Sequence, residues 1–96
     1  MNTALDQTSR IVIDAVKAES ARAGISGAKL ARLIGRDRYY IYRRYRYEQP
    51  FSTADLSAIT QALNIPMERL FESYAIGAQT GKEKPPATAS GQGNRT

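Results

Sequence analysis

Apolar residues recur every three or four positions through most of the chain, the spacing that places side chains on one face of an α-helix. The first such segment predicts a helix that is capped by Thr8 or Ser9 and runs to about Ala23, where Gly24 ends it. The apolar face predicted for this helix consists of Ile11, Val12, Ala15, Val16, Ala18 and Ala23.

Two short helices are predicted next, separated by Gly35. Ser26 is a suitable N-cap for the first of them, and Asp37 for the second, which covers residues 38 to 47. The tyrosines of the second also favour a strand, but a strand would carry aromatic side chains on both faces, so a helix is preferred. The inward positions of the first are Leu30, Ala31, Leu33 and Ile34, and those of the second are Ile41 and Tyr45.

Two more helices follow. Residues 52 to 55 resemble a capping box that opens a fourth helix to about Leu63, and Pro66 lies where the first turn of a fifth would begin. We therefore expect an all-α fold, a compact five-helix bundle. Its predicted core consists of Leu30, Ile41, Leu56, Ile59, Leu63 and Leu70.

The 96 residues are enough for one small domain, predicted over residues 8 to 76 after a frayed N-terminus of residues 1 to 7. From residue 77 to residue 96 the chain is rich in Gly, Pro, Ser, Thr and Ala and carries no large apolar residue. Such a segment cannot bury enough surface to fold, so a disordered C-terminal tail is predicted.

Composition removes several classes of function. The chain has no cysteine and no histidine, which argues against disulfides, a metal site and the usual nucleophile–base pairs of enzymes. We expect no catalytic residues, no cofactor and no metal. The longest apolar runs span three or four residues, too short for a membrane helix or a signal-peptide core, and this favours a cytoplasmic protein without a membrane partner.

Charge is concentrated in one segment. Between Lys29 and Arg46 the chain has seven basic residues and one acid, giving +6, whereas the whole protein carries +5. Five tyrosines, at positions 39, 40, 42, 45 and 47, are interleaved with these basic residues or follow them directly. A local positive charge of this size in an otherwise balanced chain predicts a polyanionic partner, most often a nucleic acid.

The second and third predicted helices with their tight turn form a helix-turn-helix. Residues 24 to 35, GISGAKLARLIG, resemble the pattern GLSQEELAERLG of the Cro and phage-repressor (XRE) family, and residues 58 to 66, AITQALNIP, resemble its segment RIAKALGVS. The resemblance covers about residues 9 to 74. It implies a transcriptional regulator that binds double-stranded DNA, usually a pseudo-palindromic operator, as a homodimer.

The resemblance also implies site residues. The third helix would be the recognition helix in the major groove, with base contacts from Arg38, Tyr39, Tyr42, Arg43 and Arg46. Contacts to DNA phosphates would come from Ser26, Gly27, Lys29, Arg36 and Tyr47. A dimer interface would use Leu70, Phe71, Tyr74 and Ile76, and the alternative for these residues is ordinary core and a frayed helix end. Tyr40 and Tyr45 are assigned to packing.

Gly27 and Arg44 depart from the family pattern. Gly27 replaces a common glutamine, so only a backbone phosphate contact carries over there, and Lys29 would supply another. Arg44 stands where an apolar residue is usual. Since an unpaired guanidinium in a core is prohibitive, we expect Arg44 to extend to the edge of the domain while a tyrosine takes over the packing.

Two other classes of function remain open. A protein-interaction module could dock its basic surface on another DNA-bound protein or on an acidic surface. A single-stranded RNA binder could stack unpaired bases on the tyrosines.

Overall fold

Five α-helices make up the structure, a computed structural model that describes residues 5–82, and no strand occurs in that range. The all-α prediction is confirmed, while the outer parts of the predicted frayed N-terminus (residues 1–4) and tail (residues 83–96) lie outside the described residues. The helices are α1 (Gln7–Arg22), α2 (Gly27–Leu33), α3 (Arg38–Tyr45), α4 (Thr53–Leu63) and α5 (Met67–Lys82).

Side-chain caps begin the first four helices. Ser26, Asp37 and Ser52 cap α2, α3 and α4 as predicted, and Ser52 forms a capping box with Asp55. The predicted cap of α1 is wrong, because Asp6 takes that place and accepts hydrogen bonds from the backbone N–H and the hydroxyl of Ser9. Gln7, which was placed in the predicted frayed terminus, is therefore the first residue of α1.

The turns that end α2 and α3 have the same hydrogen bonds. After α2, the N–H groups of Gly35 and Arg36 donate to the carbonyls of Arg32 and Ala31, at 3.1 and 2.8 Å. After α3, the N–H groups of residues 47 and 48 donate to the carbonyls of residues 44 and 43, at 2.8 and 2.9 Å. Both turns need a left-handed residue, which is Gly35 (φ 78°) in the first and Tyr47 (φ 65°) in the second.

The core is built around fully buried aliphatic side chains from α1, α2, α3 and α4: Ile13, Val16, Leu30, Ile41 and Ile59. Three predictions for inward positions are wrong. Leu33 is 49% exposed, Ala18 is exposed, and Ala23 is exposed beyond the end of α1. Ala15 and Val16 are buried as predicted, and the other buried residues of α1 are Ile13, Glu19 and Ser20. Of the predicted core list, Leu56 is only half-buried and the other five are buried.

The first and last helices, α1 and α5, pack against each other. Gly77 lies close to α1, since a Cβ added to it would be 3.2 Å from Cγ2 of Ile11. Helix α5 continues to Lys82, past residue 76, where the ordered domain was predicted to end. The contact of Gly77 with α1 gives the last part of α5 a packing partner, which the small residues of this segment did not indicate.

Glu19 is a buried carboxylate between α1 and α5. Arg22 approaches it to 2.6 Å and Arg69 to 3.6 Å, and it also accepts a hydrogen bond from the Ser73 hydroxyl. The hydrogen bond from Arg22 lowers the pKa of Glu19, and the opposing effect of burial is smaller. Glu19 therefore stays ionised and joins the two helices.

Candidate nucleic-acid interface

Helices α2 and α3 form a unit of two short helices joined by a tight turn, as predicted. Ala31 and Ile41, both essentially buried, come from the two helices. The turn is closed by the backbone bonds around Gly35, so α3 begins in a fixed place relative to α2. The outer surface of α3 is thereby presented on a rigid support.

The side chains predicted to contact bases share one surface of α3. They are spaced by three and four residues, which keeps them on neighbouring turns of one helical face. Tyr39 is 64% exposed and Tyr42 is half-buried. The predicted base-contact residues that are exposed are Arg38, Tyr39, Arg43 and Arg46.

Tyr42 is held against the start of α2. A Cβ added to Gly27, which is buried, would be 2.8 Å from Cε1 of the Tyr42 ring. The ring also meets Tyr45 edge to face, with centroids 6.0 Å apart. Glycine at position 27 therefore has a local steric cause, since a larger side chain would have to displace the Tyr42 phenol.

Of the residues predicted to contact phosphate at the start of α2, Gly27 is buried and the other two are accessible. Ser26 and Lys29 are exposed, and the Ser26 hydroxyl accepts the backbone N–H of Lys29 at 3.1 Å. At the other end of the surface, Arg46 forms an exposed ion pair with Glu48, with Nε and Oε2 2.9 Å apart. This contact raises the pKa of Arg46 and lowers that of Glu48. Any anionic ligand of Arg46 has to compete with Glu48.

Arg44 is buried, so the prediction that it extends to the edge of the domain is wrong. Its residue exposure is 9%, and the guanidinium lies 3.6 Å from the centroid of the Tyr40 ring. Nη1 donates to the Tyr40 carbonyl at 2.8 Å, and Nε lies 3.7 Å from the Asp55 carboxylate, an ionic contact too long for a hydrogen bond. Arg44 is tolerated inside because it is paired there.

Asp55, a buried residue of α4, was predicted only as part of the capping box of that helix. Its carboxylate accepts the Ser52 backbone N–H at 3.0 Å and the Tyr40 hydroxyl at 2.7 Å, besides facing Arg44. Burial alone would raise the pKa of Asp55, but these hydrogen bonds and the arginine outweigh it and lower the pKa. The unusual arginine at position 44 was the signal that a buried acid had to exist nearby.

Helix α1 holds the other end of α3. The Tyr47 hydroxyl donates to Asp14 at 2.5 Å, and this bond, with burial, raises the pKa of Tyr47. Arg10 and Lys17 lie over the Tyr47 ring, 4.3 and 5.2 Å from its centroid. Lys17 also donates to the Tyr45 carbonyl at 3.5 Å, at the C-terminal end of α3, where a cation is favourable.

Arg10 and Lys17 were missed as neighbours of this surface. Nothing in their own spacing connects α1 to the end of α3, and only the fold brings them to Tyr47. The phosphate contact predicted for Tyr47 stays a prediction, and its hydroxyl would have to leave Asp14 to make it.

The four residues predicted for a dimer interface are not equivalent. Leu70 is 2% exposed and belongs to the core, so it cannot serve as a surface contact. Tyr74 is half-buried, whereas Phe71 and Ile76 are 61% and 67% exposed. Phe71 borders a shallow apolar groove between α1, α4 and α5 that is lined by Val12, Ala15, Leu56, Leu70, Phe71 and Tyr74.

Two further observations concern metal binding and membrane spanning. Within residues 5–82, no three acidic, cysteine or histidine side chains are grouped so that they could hold a metal ion. None of the helices in that range is long and apolar enough to span a membrane. Comparison of the chain with models of known protein families and with curated proteins gave no match, so the chain's own residues carry the functional argument.

Proposed function

We propose that the protein binds double-stranded DNA sequence-specifically and regulates transcription, with α3 as the recognition helix in the major groove. One observation carries the proposal: a short helix supported by its neighbours exposes Arg38, Tyr39 and Arg43, which the helical repeat places on neighbouring turns, and the exposed Arg46 follows at its C-cap. An α-helix fits the major groove of B-form DNA, and arginine is the commonest side chain that reads bases there. The resemblance to the XRE family points the same way.

Phosphate contacts would supply most of the affinity. Lys29 and Arg36 are exposed next to α3, and Ser26 and Gly27 begin α2 on the same side as Tyr42. Each phosphate that a lysine or arginine neutralises releases counterions, so the affinity should fall steeply as the salt concentration rises. This term is independent of sequence and positions the helix in the groove.

Base choice would come from the outer face of α3. Arg38 and Arg43 are suited to guanine, whose O6 and N7 accept a bidentate pair worth about 1–3 kcal/mol of discrimination. Tyr39 and Tyr42 can pack against a thymine methyl or donate to phosphate. We expect guanine opposite Arg38 or Arg43 in each half-site.

The test is a selection from random duplex DNA, followed by titration of the selected duplex with salt. We expect one enriched motif, and the variant Arg43→Ala should lose preference at one position by about tenfold, equivalent to 1.4 kcal/mol. Arg69→Ala, which removes the same charge from α5, is the matched control and should leave the motif unchanged. No enriched motif would favour a protein-interaction module, and a preference for single strands would favour an RNA binder.

A homodimer on DNA is part of the proposal. Phe71, exposed at the rim of the apolar groove between α1, α4 and α5, offers an apolar contact on α5, whereas Ile76 lies about 140° away around the helix and borders a different groove with Arg22 and Ser73. Two copies joined at Phe71 would present two recognition helices to half-sites about one helical turn apart. Sedimentation of the protein with and without the selected duplex tests this, and a single copy on DNA at high concentration would exclude it.

A further inference from the structure

Two guanidinium groups approach the ring of Tyr40. Arg44 lies 3.6 Å from the ring centroid and is buried, whereas Arg36 lies 4.5 Å from it and is exposed. The same tyrosine donates its hydroxyl to Asp55 on α4 at 2.7 Å. Tyr40 therefore connects an exposed arginine of the turn to a buried carboxylate of the neighbouring helix.

Arg36 is fixed at both ends. Its backbone N–H donates to the Ala31 carbonyl at 2.8 Å and completes the turn after α2. Its guanidinium rests on the Tyr40 ring, yet the residue as a whole remains exposed. A long side chain held in this way loses less conformational freedom on binding an anion than one that moves freely in solvent.

The hydroxyl bond to Asp55 strengthens this arrangement. It fixes the plane of the Tyr40 ring from the side opposite the backbone. Donation of the phenol proton to a carboxylate also polarises the ring towards greater negative charge, which favours cations over its face. Arg44 is held by Asp55 and by the Tyr40 carbonyl. Because its guanidinium lies over the Tyr40 ring, it keeps the ring from rotating.

We infer that Tyr40 is a positioning residue that holds the Arg36 guanidinium ready for a DNA phosphate. The inference rests on the proposed function and deepens it. It gives a role in DNA binding to Tyr40, which the sequence assigned only to packing. Tyr40 itself touches no DNA in this arrangement. Its effect on affinity depends on Arg36. Loss of the Tyr40 ring should therefore lower the affinity only when Arg36 is present, whereas a packing role would lower it in either case.

A double-mutant cycle tests the inference, using a duplex of unrelated sequence at low salt. Tyr40→Leu should lower the affinity by about two- to fivefold, the range expected for a cation–π contact. In the Arg36→Ala background the same substitution should have no further effect. Tyr40→Phe keeps the ring and should retain most of the affinity. Equal losses from Tyr40→Leu in both backgrounds would show a merely structural role and overturn the inference.

A second measurement needs no DNA. In the NMR spectrum of the free protein, the side-chain protons of Arg36 should be shifted upfield by the Tyr40 ring, and Tyr40→Leu should abolish that shift. Ordinary shifts for Arg36 in the unmodified protein would overturn the inference directly. If Tyr40→Leu proves unfolded at the assay temperature, Tyr40→Met fills more of the volume and takes its place in the cycle.

The two failures can be distinguished. If no form of the protein binds duplex DNA while the Arg36 ring shift is intact, the proposed function fails and the role of Arg36 fails with it. If duplex binding is normal but the cycle is additive, only the role of Tyr40 fails.

Discussion

Arg44 lies in the interior because its guanidinium meets three suitable groups, although its buried Nε makes no hydrogen bond. The face stacks on Tyr40, one nitrogen donates to a carbonyl, and Asp55 supplies the opposite charge. A buried ion pair adds little stability compared with apolar residues of the same volume, but the loss of one partner leaves an uncompensated charge. The pair therefore makes α3 and α4 dependent on each other.

Asp55→Ala should lower the free energy of unfolding by about 3 kcal/mol or more, since it leaves Arg44 buried without its counter-ion. Denaturant unfolding measures this. Ser52→Ala is the control, because it removes a capping hydrogen bond of α4 but leaves the ion pair, and should cost about 1 kcal/mol. Equal costs for the two variants would mean that the Arg44–Asp55 contact contributes nothing.

Glu48 forms an ion pair with the guanidinium of Arg46, and both side chains are about half exposed. Glu48→Gln should raise the affinity for duplex DNA by about two- to fivefold at low salt, because Arg46 is released and a negative charge leaves the surface. Fluorescence anisotropy with a labelled duplex is the measurement. Glu68→Gln makes the same change of charge on α5, and an equal gain from it would show a net-charge effect only.

At the scale of the element, α3 is held by three other helices. Tyr42 packs on α2, Arg44 faces α4, and the end of the helix meets Lys17 of α1. An isolated helix of eight residues would be only marginally stable. These contacts, rather than intrinsic helix propensity, therefore hold α3 in place. The residues left over for a ligand are those that none of the three neighbours uses.

Gly27→Ala should displace the Tyr42 ring, because the new Cβ would lie 2.8 Å from Cε1. We expect a stability change within about 1 kcal/mol, since alanine is the better helix former, and a loss of affinity for the selected duplex of about tenfold. In a Tyr42→Ala background the loss should vanish. A tenfold loss that persists there would show that α2 itself, rather than Tyr42, is disturbed.

Tyr47 ends α3 in a left-handed conformation that the local sequence did not predict. Its φ of 65° is a conformation that usually calls for glycine and costs a tyrosine of order 1 kcal/mol or more. The hydroxyl bond to Asp14 and the two cations over the ring offset that cost. Local sequence carries no sign of these partners, which come from α1, more than thirty residues away.

At the scale of the whole molecule, helical periodicity and caps predicted five helices and most of their bounds. Core positions were predicted well where one face is apolar, as in Leu30 and Ile41, and poorly in α1, where the buried stripe includes Glu19 and Ser20. The outward face of α3 was predicted from the resemblance to the XRE pattern. Its supports at Asp55, Asp14 and Lys17 were not, because they depend on contacts between distant helices.

Glu19 makes the stability depend on pH. Its pKa is lowered in the folded protein, so its contribution is present above the pKa of an unfolded glutamate and is lost as the pH falls through the folded value. We expect the free energy of unfolding to decrease below about pH 4, and Glu19→Gln to reduce that decrease and be less stable at neutral pH. The two proteins should converge in acid; a constant difference at every pH would contradict the assignment. The pKa of Asp55 is lowered as well, so part of the acid dependence should remain in the variant.

The pairing of α1 with α5 has a consequence for the order in which the domain assembles. These helices are joined through Glu19, Arg69 and Ser73, and Gly77 lies against Ile11, so the partner of the first helix is made last. During synthesis the side of α1 that packs on α5 stays uncovered until α5 has left the ribosome, whereas α2, α3 and α4 can already cover its other contacts. The helices between them can form locally, but the last to emerge closes the fold, and a nascent chain stalled before residue 67 should remain a target for chaperones.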